Sequence, residues 1–217
     1  MTTQKKQYIT IAFIVGLVIV IDQVIKILVK TNMQIGESIP LIGNWCQLLF
    51  VENEGMAFGM AFGGFVGKLL LSLFRIVAAT AVMWYLLVLV RKKQCATGVL
   101  ISLSLIFAGA IGNLIDCAFY GLIFNESYYH VATMFPPEGG YAPFLHGRVV
   151  DMFYFPLIHT TIPSWMPIWG GQPFTFFNAI FNFADAAITV GVFWLLIYSL
   201  LFHKNNSESA DDEKNQK

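Results

Sequence analysis

A chain of 217 residues with 57% hydrophobic and 12% charged side chains carries far less charge than the ~25% usual in soluble domains, and reads as an integral membrane protein of a length for one domain. Thirteen basic and thirteen acidic residues cancel, so nothing electrostatic points to nucleic acid as a partner. Three cysteines and four scattered histidines show neither metal-ligand spacing nor a disulfide framework, and no metal or cofactor is expected.

In chain order, Lys5 and Lys6 precede an apolar run that resembles a signal peptide. The run is too long for one, contains Asp22 and Lys26, and lacks a small-residue cleavage site. It reads as a retained first span, 8–29. Further runs at 68–90, 96–120 and 177–202 are also near the ~20 apolar residues a spanning helix needs, and helix is the structure that leaves no backbone amide unpaired in lipid. The expected fold class is therefore all-α, with four transmembrane helices in residues 1–203, and the polar tail 204–217 reads as disordered. The basic residues Lys5, Lys6, Arg91, Lys92, Lys93 and Lys204 all fall on one side if the spans alternate. That side, with both termini, is expected to be cytoplasmic. Segments 30–67 and 121–176 then face outward, and Asp22, Asp116, Asp151 and Asp185 lie within roughly 10 Å of one level near the outer leaflet.

A carboxylate in or beside hydrocarbon costs several kcal/mol unless it is paired, protonated or wet. Asp22 and Lys26 are four apart and share a helix face, so an ion pair makes both tolerable; the pair could also hold a polar group of a ligand. The β-like stretch 45–51 leads into Asn53-Glu54-Gly55-Met56-Ala57-Phe58-Gly59, where the glycines read as a turn or a place of close approach. Gly109 and Gly112 are small residues at helical spacing that let helices pack closely in lipid. Asn113 and Asp116, three apart, then face a neighbouring helix or a cavity. Asp151, in the outer loop, and Asp185, opening the fourth span, are the best catalytic candidates. Two carboxylates brought together share a proton, so one can act as base on water while the other polarises a carbonyl. The sequence leaves their adjacency open. A proton- or ion-coupled transporter also uses intramembrane acids, although no internal repeat or midplane site is visible. A membrane assembly factor would explain spans and glycines but gives no reason for the Asp pair.

Five ordered motifs add to this reading: Asp22-Gln23-Val24-Ile25-Lys26; Asn53-x-Gly55-x-Ala57-Phe58-Gly59; Gly109-x-x-Gly112-Asn113-x-x-Asp116; Val149-Val150-Asp151; and Phe181-Asn182-x-Ala184-Asp185. Together they resemble the lipoprotein signal peptidase (signal peptidase II) family across most of the chain. The resemblance implies an aspartyl endopeptidase of the bacterial inner membrane, with a small extracytoplasmic β-cradle around 41–60 and extended outer loops. It would cut prolipoproteins just before a diacylglyceryl-modified cysteine, within the membrane lipids, and globomycin-type cyclic peptides would inhibit it. It further implies Asp151 and Asp185 as the catalytic dyad, with Asn113 and Asn182 supporting it. Asp22, Lys26, Asn53, Gly55, Gly109, Asp116 and Ala184 would be structural or substrate-positioning, and a monomer would suffice. Two departures stand out. Cys117 occupies the place of the family's usual Arg, so Arg148 or Arg75 is expected to supply that charge. Segments 121–146 and 156–176 are longer than the family norm and rich in Pro, Gly and aromatic residues, which suits interfacial packing or a cover over the site.

Overall fold

A computed structural model of the chain describes residues 2–54 and 64–215. Four helices are long and apolar enough to cross a membrane. Helix α1 is Thr3–Asn32 and α2 is Gly64–Arg91. Helix α3, Thr97–Ile115, runs on through a π-helical turn, Asp116–Tyr120, into the short α4, Gly121–Ile123. Helix α5 is Phe183–Asn215, with its apolar part ending at Leu201. An antiparallel sheet has the order β1-β2-β3-β6, from Ser38–Ile42, Cys46–Asn53, Val149–Tyr154 and Ile180–Phe181. A separate hairpin pairs β4, Ile158–Thr161, with β5, Pro173–Phe176.

The chain divides into two compact units. The first comprises Met1–Ile21, Leu73–Leu114 and Phe183–Lys217. Its core joins Ile11, Leu86, Val90, Leu100 and Leu103. Glycines bring α3 and α5 close: a Cβ at Gly109 would meet the Ala184 carbonyl, and one at Gly191 would meet the Ser102 carbonyl. Large rings on its helices stay outside, with Phe13 and Trp84 each 66% exposed. A lipid surround is what makes such surfaces tolerable.

The second unit comprises Asp22–Ser72 and Ile115–Asn182. Here Phe50, Val150 and Met152 project from β2 and β3 onto Val29, Tyr120 and Phe124. The strand period of two sends Asn53 and Asp151 to the opposite face from Val150 and Glu52.

Four helices and a small sheet agree with the expected fold class, and several boundaries move. Residues 177–182 are not helical. Ile180 and Phe181 pair with Tyr154 and Phe153, so the fourth span begins at Phe183. An apolar run reads alike as buried strand or helix, and pairing with β3 decides it. Asp151 lies on strand β3, not in a loop. The segment 156–176 contains the β4–β5 hairpin, and α5 continues to Asn215 through the tail read from sequence as disordered. Extending an existing helix costs little compared with nucleating one.

Candidate active site

In the second unit, the i,i+4 spacing of Asp22 and Lys26 yields the expected ion pair at 2.9 Å, and Lys26 also reaches Asp116 at 2.8 Å, with all three side chains fully buried. Gln23 donates to Asp22 at 3.1 Å and to Asp116 at 2.9 Å, and its own carbonyl accepts from the Tyr120 hydroxyl. Asp116 also accepts from the backbone N–H of Val150 at 3.2 Å, one residue before Asp151. Gly147 N–H donates to the Cys117 carbonyl at 2.8 Å, and a Cβ at Gly147 would strike the Asp116 carbonyl. The buried charge cluster is thus bonded directly to the strand that bears Asp151.

Asp151 is 3% exposed. Both of its oxygens accept amide N–H groups, from Asn53 at 3.2 Å and from Asn182 at 2.7 Å. Asn53 belongs to β2 and Asn182 follows β6, so the sheet presents one carboxylate between two side-chain donors. Gly55, assigned to the same motif as Asn53, lies outside the described residues.

In the first unit, Asp185 stands in the first turn of α5, where the helix N-terminus favours negative charge. Asn113 of α3 donates to it at 2.7 Å. Asn113 and Asp116 were expected to share a face. The helix changes to π geometry at Asp116, and the two side chains take different partners. Ala184 is fully buried, with its carbonyl against Gly109. A methyl at Gly109 would gain about 1 kcal/mol of helix propensity. It would also have to displace a backbone carbonyl, an overpacking cost of about 1–3 kcal/mol. Gly109→Ala is therefore expected to lower the melting temperature slightly and activity more, because the displaced turn carries Asp185. Unchanged kinetics would refute this positioning.

Arg148 corrects one expectation. Its guanidinium does not serve Asp116, which pairs with Lys26 of α1. Arg148 instead forms a two-point bond to Glu126 at 2.7 and 3.0 Å and reaches Glu52 and Glu54, each at 3.1 Å. Burial opposes its charge, but Glu126 and Glu52 outweigh burial and hold its pKa above the ordinary value. Tyr141 and Tyr128 flank the cation at 4.9 and 5.5 Å, and the Arg148 N–H donates to the Tyr141 hydroxyl. Lys30 bonds Glu52 and Ser127, which ties the segment 124–147 to α1 and β2. Glu52, Glu126, Lys30 and Ser127 were not anticipated. One signal was available: Lys30 continues the Asp22–Lys26 stripe by four residues, and Glu52 and Glu54 are two apart at the end of β2.

Burial raises the Glu54 pKa, but Lys68 and Arg148 outweigh it, so the carboxyl titrates below its ordinary value. A carboxylate of this kind stabilises fully above its unfolded pKa of about 4.3 and loses that contribution as pH falls through the lowered folded value. The melting-temperature difference between wild type and Glu54→Gln is thus expected to be present at neutral pH and to vanish in acid. A difference independent of pH would contradict the clamp's ionic character.

Spanning helices and buried acid networks beside a small sheet define a multi-pass membrane protein. A family model described as Signal peptidase (SPase) II matches residues 14–202. A lipoprotein signal peptidase of Porphyromonas gingivalis is 52% identical over 187 residues, 86% of this chain and 81% of that protein. Another, of Amoebophilus asiaticus, is 39% identical over 178 residues, covering 81% and 71%. A solved structure described as a bacterial membrane enzyme at 1.9 Å resolution superposes with TM-score 0.58 and 26% identity over 88% of this chain and 92% of that one. A second, at 24% identity over 90% of each chain, shares the fold with TM-score 0.60. The chain belongs to the signal peptidase II family, membrane proteases that remove signal peptides from prolipoproteins.

Proposed function

We propose that this protein is an aspartic endopeptidase of the bacterial inner membrane. In this reading it cuts prolipoproteins immediately before a diacylglyceryl-modified cysteine, with Asp151 and Asp185 acting together on one water. The observation that carries the reading is the amide cage on Asp151. Asn182, which donates to Asp151, precedes Asp185 by three residues, so the chain keeps the Cα atoms of Asn182 and Asp185 within about 11 Å.

One carboxylate takes a proton from water, and the oxygen attacks the scissile carbonyl carbon. The other, protonated, gives its proton to the carbonyl oxygen. The resulting gem-diol collapses, the C–N bond breaks, and a carboxyl proton passes to the cysteine amine as it leaves. Such a pair titrates jointly, so its pKa values belong to the dyad and not to either residue. Asn53 and Asn182 would orient Asp151, Asn113 would orient Asp185, and the Asp22–Lys26–Asp116 cluster would fix the strand beneath. Both termini would be cytoplasmic and the site near the outer leaflet, consistent with the basic residues at Lys5, Lys6 and 91–93. One chain carries every residue in the scheme, so a monomer suffices. A globomycin-type cyclic peptide would compete with substrate.

The test is cleavage by purified protein of a precursor with and without its diacylglyceryl group, with the products identified by mass. Cutting only the lipidated form, with the modified cysteine as the new N-terminus, supports the assignment. Equal cutting of both, or cutting elsewhere, overturns it.

A further inference from the structure

The two long segments that flank β3 differ in kind. Segment 124–147 is bound to the sheet by Glu126, Ser127 and Tyr141. The β4–β5 hairpin carries none of the charged side chains that serve the first segment: no Asp, Glu, Lys or Arg occurs between Asp151 and Asp185. Yet its large apolar side chains point outward: Trp165 is 77%, Ile168 84% and Trp169 56% exposed at the tip, with Ile158 56% and Phe176 52% exposed on the strands. Water would make such a surface costly, at roughly 25 cal/mol for each Å² of apolar area left wet.

The backbone of the tip is closed on itself. Ile162 donates to Gln172, Gly171 to Ile162, Met166 to Pro163, Gly170 to Met166, and Gln172 to Trp169, at 2.9–3.1 Å. Pro163, Pro167 and Pro173 have no N–H to satisfy. A segment without Asp, Glu, Lys or Arg, outwardly apolar and internally hydrogen-bonded, is suited to a low-dielectric surround. The outer edges of a two-stranded hairpin still carry unpaired backbone groups, which places it at headgroup depth, where water reaches them, and not in the hydrocarbon centre. Tryptophan also favours that depth.

We propose that the β4–β5 hairpin is a membrane-interface anchor, with Trp165, Ile168 and Trp169 seated among lipid headgroups and upper acyl chains. The inference stands independently of the peptidase reading. It is tested on the full chain in lipid nanodiscs, with Trp45→Phe, Trp84→Phe and Trp194→Phe leaving Trp165 and Trp169 as the emitting residues. Replacing the lipid by brominated phosphatidylcholine is expected to remove roughly half of their emission, and aqueous iodide is expected to have little effect, as for interfacial tryptophan. Should the triple variant fold poorly, Ile168→Cys in the otherwise native chain takes an environment-sensitive dye, since Cys46, Cys95 and Cys117 are buried. Blue-shifted dye emission supports the anchor. Emission that iodide quenches and bromolipid does not would overturn it. Bromolipid quenching that arises only after addition of lipidated precursor would also overturn it, and would assign the hairpin to the substrate.

Discussion

Asp151→Asn and Asp185→Asn are each expected to lower turnover of lipidated precursor by about 10²–10⁴-fold or more while leaving the fold intact. Asparagine keeps the size of the side chain and one acceptor oxygen but can neither take a proton from water nor deliver one to a carbonyl. Asp151 accepts from two amides, so an Asn there turns an N–H towards an N–H at one of the two contacts. A small loss of stability accompanies that variant. Asp185 accepts from Asn113 in the first turn of α5, and the oxygen that asparagine keeps can preserve that bond. Melting temperature and turnover, measured on the same preparations, separate the two effects. Turnover that falls only in proportion to folded protein would assign both residues a structural role.

The largest effect on stability is expected at Lys26. Its ammonium lies between Asp22 and Asp116, and all three side chains are fully buried. Removing one partner of a buried charge pair leaves the remaining charge uncompensated, at about 3–5 kcal/mol. Lys26→Met should therefore lower the melting temperature sharply and, through the Asp116–Val150 bond, loosen the strand bearing Asp151. Adding Asp116→Asn should recover part of the loss, because one stranded carboxylate is then gone. Lys26→Arg should not restore the wild-type value, since a planar guanidinium does not fit a pocket shaped for a compact ammonium. Thermal unfolding of the three variants in one detergent decides this. Full tolerance of Lys26→Met would contradict the cluster's role.

Features that depend on near neighbours were legible in the sequence. Apolar runs located four spans, and spacing alone paired Asp22 with Lys26. Features that depend on distant pairing were not. Residues 180–181 are as apolar as the helix that follows them, and their pairing with β3 makes them strand. Asn113 and Asp116 look like one site at helical spacing, yet Asn113 bonds Asp185 while Asp116 bonds Lys26 and the Val150 N–H. The departure at Cys117 pointed to a replacement arginine. Asp116 pairs with Lys26, already in the first motif, while Arg148 meets Glu52 of β2 and Glu126. Even so, the motifs singled out from sequence supply the groups now seen around Asp151 and Asp185, because polar residues stranded in apolar segments need partners and the chain offers few.

In the proposed mechanism, Asp151 and Asp185 act as one unit on one water. A double-mutant cycle tests it most directly: single-turnover cleavage of lipidated precursor by Asp151→Asn, Asp185→Asn and the double variant, each shown to be folded. Residues that work as a unit are grossly non-additive. A double variant no slower than the slower single variant is expected of a dyad. Effects that multiply, giving a double variant slower by the product of the two losses, would show two independent contributions and contradict the dyad.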